Sequence, residues 1–525
     1  MPQAGLAFVL HAHLPFVRHP AHDDFLEERW LHEAITETYI PLLDMLDALE
    51  RDRVPVRLTL SLSPPLLAML ADHLLRTRYL RHLDRLVELA EKEGRRTRPD
   101  GRLHRTAEMY LARFRRARGI FLEDWGQDLI AAFRSYQERG LLEIITSAAT
   151  HGFLPLLGAA PAVVRAQIEV AVAEYHRFFG RAPEGFWLPE CAYEPGLDAE
   201  LARVGVRYFF VDTHGIAHAT PRPVYGVYAP VACDSGVAAF GRDPDSARQV
   251  WSADEGYPGD IWYRDFYRDI GFDLEYDYVR PYLPLTGERI LTGLKYHRIT
   301  GKGDAKEPYE SERARERVEA HAAHFVEARV RQVAWLGRAM DRPPIIVCPY
   351  DAELFGHWWF EGPWWLEAVL RRLAATPELR AVTPGDDLAR HPTVQRATPA
   401  ASSWGWKGYN EVWLAGENDW LYRHLDATAE RLHALCRSYP GAEERTRRAL
   451  TQALRELFLA QASDWAFMMS RATAADYAAR RSHDHLLRCQ ELCTGVERGA
   501  VDDLRLGALE DTDNLFPTLD YRVFV

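Results

Sequence analysis

Short apolar runs that end abruptly in polar or aromatic residues recur along this chain. Leu6–Leu10 runs into His11-Ala12-His13, Val56–Leu60 ends at Ser61, and Ile144–Ile145 leads to Thr150-His151. Gly185–Leu188 runs into Pro189-Glu190, and Tyr208–Val211 ends at Asp212-Thr213-His214. Ile345–Val347 reaches Cys348-Pro349-Tyr350-Asp351, and Ala381–Val382 ends at Thr383-Pro384. Apolar runs without alternation are what strands buried on both faces look like. Helical patterns lie between several of them. Pro161–Gly180 has Pro near its start and Gly past its end, the usual asymmetry of helix termini. Glu312–Met340 carries Val318, Phe325, Val326, Val330, Val333 and Leu336 along one side. Strands alternating with helices predict a parallel α/β fold. About seven such strands over about 390 residues predict a barrel.

Two segments break the alternation. Residues from about 70 to 140 read as charged helices without a strand, a helical insertion on the barrel. From about 400 a Trp-rich loop leads into helical sequence between Leu425 and about Cys493. The expected division is therefore a catalytic barrel over 1–395 and a C-terminal helical domain over 396–525. Within the barrel, Thr213 to Lys295 lacks regular periodicity and is rich in Gly, Pro, Tyr and Asp. Loops this long in compact proteins are often functional.

In barrels of this kind the chemistry sits where strands end, and here His, Glu and Asp residues fall at the predicted strand ends. Glu190 and Asp351 follow their apolar runs in the same way, each with aromatic neighbours. Two carboxyl groups facing each other across a sugar carbon, about 5–5.5 Å apart, are what a retaining glycosidic reaction needs. The aromatic content changes the picture in the same direction. Trp358, Trp359, Trp364 and Trp365 cluster, as do Trp404, Trp406, Trp413 and Trp420. Broad aromatic planes beside carboxylates suit the apolar faces and hydroxyl edges of sugar rings. A net charge of −12 argues against nucleic acid. The six cysteines, at 191, 233, 348, 436, 489 and 493, show no paired metal spacing and no disulfide framework. With neither a leader-like N-terminus nor a run of about 18 apolar residues, the expectation is a cytoplasmic protein that does not enter the membrane.

Five short motifs, in order over nearly the whole chain, resemble those of glycoside hydrolase family 57, and within it the 1,4-α-glucan branching enzymes. They are His11-Ala12-His13-Leu14-Pro15, Thr150-His151-Gly152-Phe153-Leu154-Pro155, the stretch Gly185 to Tyr193, the stretch Tyr350 to Trp359, and the region Trp404–Trp420. The resemblance implies an incomplete (β/α)7 barrel with a helical insertion and a C-terminal helical domain. It makes Glu190 the nucleophile and Asp351 the general acid/base. It makes His11, His13 and His151 sugar contacts, and Trp404 and Trp413 aromatic subsites, with Trp30 and Trp262 further candidates. Asp464-Trp465 resembles a pair by which the C-terminal domain reaches the cleft. Tyr296-His297-Arg298 is open to a cleft-lining or a structural role.

The implied activity cleaves an α-1,4 bond of an amylose- or glycogen-like glucan and transfers the chain to a 6-hydroxyl, with no cofactor and as a monomer. Amylase-type hydrolysis or 4-α-glucanotransfer is the alternative. Branching members carry a Tyr on a loop over the site, and the corresponding stretch here, about Ser235–Asp243, has Phe240 and no Tyr. Gln249-Val250-Trp251-Ser252 to Gly259-Asp260 nevertheless resembles that subgroup. His11-x-His13 is also compatible with a metal, since residues two apart on a strand share a face. That reading, a metal-dependent deacetylase or mannosidase, needs a third ligand and leaves the two carboxylates without their role.

Overall fold

The computed structural model describes residues 3–252, 255–301 and 303–525. The stretch 249–260 is therefore described except for Ala253 and Asp254. Ten strands form one sheet. They are β1 (Ala4–Ala12), β2 (Leu58–Leu62), β3 (Leu142–Ser147), β4 (Gly185–Trp187), β5 (Tyr208–Val211), β6 (Val231–Ala232), β7 (Ala238–Gly241), β8 (Ile345–Asp351), β9 (Leu379–Ala381) and β10 (Gln395–Arg396). Seven run parallel in the order β8-β1-β2-β3-β4-β5-β7. Among the described residues no ladder joins β7 to β8, so the barrel is open there, and a backbone bond from Asp243 N to Val347 O at 2.9 Å spans the seam.

The count of seven matches the expectation, but one member differs. Ala381–Val382 was expected to supply a barrel strand. Instead β9 pairs only with Ala4–Leu6, the first residues of β1. The seventh parallel strand is β7, inside the stretch that lacks periodicity. Its pairing with β5 runs through four residues. Antiparallel β6 and then β10 cover its outer edge.

Parity along the strands decides what fills the barrel. Ala7 and Val9 of β1, Ile145 of β3, Trp187 of β4, Phe210 of β5, Phe240 of β7, and Ile345 and Val347 of β8 form one buried cluster. Successive side chains of a strand point to opposite faces. Along the same face, two residues past Val9 bring β1 to His11 and four past Val347 bring β8 to Asp351, and these two are register partners. The apolar interior is thus continuous with the polar site above it. Gly185 is required because a Cβ there would lie 2.3 Å from the Tyr208 ring.

Helices His73–Arg96, Gly101–Gly119 and Leu129–Glu138 stand between β2 and β3. Asp72, Asp100 and Asp128 each accept a backbone N–H at the first turn of one of them, the favoured capping chemistry. After β10 the chain is helical, with Asp419–Ser438, Glu444–Ala460, Ser463–Arg471, Ala475–Glu497 and Asp503–Thr512. This region is tied to the barrel by backbone. Ser463 N donates to His151 O at 3.0 Å, and Gly152 forms a bridge with Ala462.

Candidate active site

The strand ends deliver the polar side chains, and the backbone bends sharply to do so. After β4, Glu190 and Cys191 have φ of 60° and 50°, and His151 after β3 has φ of 58°. Left-handed non-glycine residues cost of order 1–3 kcal/mol each and need firm surroundings. Those surroundings are present. Cys191 N donates to Leu188 O at 2.8 Å, Trp404 N to Glu190 O at 3.0 Å, and Cys191 is fully buried.

One hydrogen-bond chain crosses the floor of the site. Ser61 Oγ lies 3.0 Å from His11 Nδ1, and His11 Nε2 lies 2.9 Å from His151 Nε2. His151 Nδ1 lies 2.9 Å from Ser463 Oγ, which is 3.0 Å from Glu190 Oε1. A carboxylate only accepts, so Ser463 must donate to Glu190. His151 then donates from Nδ1 and accepts at Nε2, His11 donates from Nε2, and Ser61 donates to His11 Nδ1. Every member is satisfied with both imidazoles neutral. Burial, reinforced by the neighbouring histidines, pushes the His11 and His151 pKa values well below the usual histidine range, in agreement with that assignment. His11 also stacks on Trp187 at 4.7 Å.

The carboxylates divide into two environments. Glu190 Oε2 accepts from Trp404 Nε1 at 2.9 Å, so both of its oxygens have donors. Burial raises its pKa and Asp464 adds to this, while the Trp404 and Ser463 bonds and His13 pull it back. Asp351 is pushed well above the usual carboxylate range. Burial is the largest cause, followed by Glu353 and Glu190, and only Arg242 opposes. Glu353 accepts from Tyr39 Oη and from His13 N. Tyr39 is the last residue of a π-helical turn, Ile35–Tyr39. Such turns are frequent at functional sites.

A cleft of about 590 Å³ is lined by His11, His13, His151, Glu190, Asp351, Trp404, Trp413 and Asp464 together. Eight of the eleven predicted site residues therefore meet in one place. Asp464 Oδ2 lies 3.0 Å from His13 Nε2, so the C-terminal region does enter the site. Three predicted residues do not line it. Trp465 is fully buried, its Nε1 donating to Leu459 O at 2.7 Å, and so packs the C-terminal helices. Trp30 packs edge-on against Tyr477, and Trp262 lies under the Arg298 guanidinium. Tyr296 is buried, and Arg298 donates to Ile261 O and pairs with Glu307.

The lining residues Arg242, Trp251 and Glu353 were not among the sequence candidates, while Trp358 and Trp406 were read only as members of aromatic clusters suited to sugar. Glu353 stands two residues after Asp351 within a quoted motif, a signal that was available. The stretch Ser235–Asp243, expected to form a loop over the site, contains β7, and Phe240 is a buried filler of the barrel. From this part of the chain Arg242, just after β7, and Trp251, at the end of helix Pro244–Trp251, reach the cleft. His13, His151 and Asp464 offer ligand atoms within 4.8 Å of one another. Both His151 nitrogens are already engaged by His11 and Ser463, so a metal there would have to break the chain to Glu190.

Residues 7–334 match the family described as glycosyl hydrolase family 57, and residues 424–524 match the C-terminal domain of 1,4-alpha-glucan branching enzymes. The chain is 35% identical to a 1,4-alpha-glucan branching enzyme of Thermococcus kodakarensis, over 97% of this chain and 77% of that protein. The alpha-amylase AmyC of Thermotoga maritima superposes with a TM-score of 0.94 at 46% identity, covering 99% of both chains. A branching enzyme of this type from Pyrococcus horikoshii superposes with a TM-score of 0.89 at 33% identity, covering 99% of this chain and 97% of that one.

Proposed function

This chain belongs to glycosyl hydrolase family 57, and from that premise we propose that it is a retaining 1,4-α-glucan branching enzyme with Glu190 as nucleophile and Asp351 as general acid/base. The observation that carries the assignment is the unequal treatment of the two carboxylates. Glu190 has a donor on each oxygen, which favours the charged form, whereas Asp351 is buried among like charges, which favours the protonated form. Environments that push two carboxyl pKa values apart separate the acid from the nucleophile.

In this reading Asp351 protonates the glycosidic oxygen while Glu190 attacks the anomeric carbon, and the non-reducing fragment becomes covalently attached to Glu190. Asp351, now a carboxylate, removes the proton of an incoming 6-hydroxyl as that oxygen displaces Glu190. An α-1,6 branch results, and Asp351 is protonated again. Ser463 and Trp404 are positioning residues for Glu190. Trp404 offers aromatic surface to the sugar rings, while Trp413, 1% exposed and packed on Phe153, backs the cleft wall. Transfer prevails over hydrolysis only if water is kept out, and we assign that part to Trp251. The protein acts on glycogen-type polymer, as a monomer in the cytoplasm. Six free, buried cysteines fit a reducing compartment.

Hydrolysis is the second reading, favoured by the 46% identity to the Thermotoga maritima alpha-amylase. Incubation with amylose followed by proton NMR separates the two. Branching yields new α-1,6 anomeric signals with few new reducing ends. Rising reducing ends without α-1,6 signals would reject branching and leave hydrolysis.

A further inference from the structure

A second cavity, of about 420 Å³, opens between helix Pro244–Trp251 and the long helix Ser311–Leu336. It shares no lining residue with the catalytic cleft. On its rim Trp335 is 63% exposed, and no aromatic ring or cation packs against it among the described residues. Tryptophan is rarely left so bare, because its large apolar surface is costly to hydrate.

Beneath Trp335 the cavity holds unused hydrogen-bonding capacity. Arg329 is 2% exposed, yet its Nε has no hydrogen-bond partner among the described residues, and Gln249 Oε1 and Gln332 Oε1 are likewise buried and unpartnered. Buried polar groups are normally satisfied, so those that are not call for an explanation. Charge narrows the class of ligand. Arg329 lies 3.5 Å from Asp243, Arg248 lies 3.4 Å from Asp245, and Arg331 lies 3.9 Å from Glu327. With a carboxylate beside each guanidinium, the cavity lacks the uncompensated positive charge that phosphate requires. It offers an aromatic face above planar amide and guanidinium edges, the combination that suits a neutral sugar.

We propose that this cavity is a second saccharide site, which holds a stretch of α-glucan away from the catalytic cleft. The inference rests on the α-glucan activity proposed above. The helix Pro244–Trp251 connects the two places, with Asp245, Arg248 and Gln249 lining the cavity and Trp251 lining the cleft. A polymer long enough to occupy both is retained between turnovers, while a short oligosaccharide uses the cleft alone.

The test compares the full-length protein with Trp335→Ala and Trp335→Tyr, in native gels containing glycogen and in turnover of amylose and of maltoheptaose. Trp335→Ala should weaken retardation by glycogen and raise KM for amylose about tenfold, the scale of one lost stacking contact. Its maltoheptaose turnover should stay within about twofold of the parent, and Trp335→Tyr should restore most of the retardation. Equal retardation of parent and Trp335→Ala would overturn the inference, as would a parallel loss of maltoheptaose turnover. Quenching of tryptophan fluorescence by inorganic phosphate but not by soluble amylose, seen in the parent and absent from Trp335→Ala, would also overturn it. A parent protein that turns over no α-glucan would instead overturn the activity on which the inference rests.

Discussion

The two sides of the cleft treat a carboxyl group differently: burial raises the pKa of both, but hydrogen bonds pull it back only at Glu190. On the Glu190 side, donors come from distant parts of the chain: Trp404 from the loop after β10, and Ser463 from the C-terminal helices. On the Asp351 side, β8 and β1 bring a half-buried strand end near Glu353, and only Arg242 opposes the rise in pKa. One side uses directed hydrogen bonds to hold a negative charge. The other uses burial and like charge to hold a proton. Proton affinity here is a property of the surroundings, and Glu and Asp as residue types do not predict it.

The most damaging way to break this contrast is Glu190→Gln, which keeps the shape but removes the nucleophile. Activity on amylose should fall by about a million-fold, the order found when a covalent nucleophile is lost. Trapping with a slow glycosyl fluoride followed by mass spectrometry should label the parent at Glu190 and leave the variant unlabelled. Label on another residue would remove the assignment.

Ser463→Ala takes one donor from Glu190. A hydrogen bond to a charged group carries about 1.5–3 kcal/mol, so kcat should drop roughly 10–100-fold, and Ser463→Thr should recover most of it. The pH profile separates positioning from general damage. Glu190 must be ionised, so its pKa sets the acid limb of the profile. Losing the donor raises that pKa, and the acid limb should move to higher pH. An unmoved limb with a lowered plateau would show that Ser463 acts only on stability.

Glu353→Gln addresses the other side. Removing a like charge lowers the Asp351 pKa, and Asp351 must be protonated to act as acid, so the alkaline limb should move to lower pH while the acid limb changes less. The smallest effect is expected from Trp251→Ala. Total cleavage of amylose should change little, while the share of reducing ends over α-1,6 bonds rises. An unchanged ratio would mean that another residue keeps water out.

Much of the Asp351 side was legible in the sequence, because it is local. Continuous apolar runs identify β1 and β8, and counting by two from Val9 and Val347 places His11 and Asp351 above the barrel interior. The Glu190 side was legible only in part. Nothing local marks Ser463, and its role depends on contacts to His151 and Glu190 about 300 residues away in sequence. The strand β7 escaped because Ala238–Gly241 carries a single large apolar side chain, Phe240, between alanine and glycine. Tryptophans misled in a consistent way. The same ring serves as a sugar platform at Trp404 and as core packing at Trp465, and only exposure to the cleft distinguishes them.

The backbone bond from Ser463 to the His151 carbonyl has a temporal consequence. Translation proceeds from the N-terminus, and both barrel carboxylates are made well before residue 463. A nascent barrel therefore emerges with Glu190 lacking the donor to Oε1 and with His151 unpaired at Nδ1. Full activity therefore waits for the last helices to dock, and an unfinished polypeptide lacks the donor that steadies Glu190.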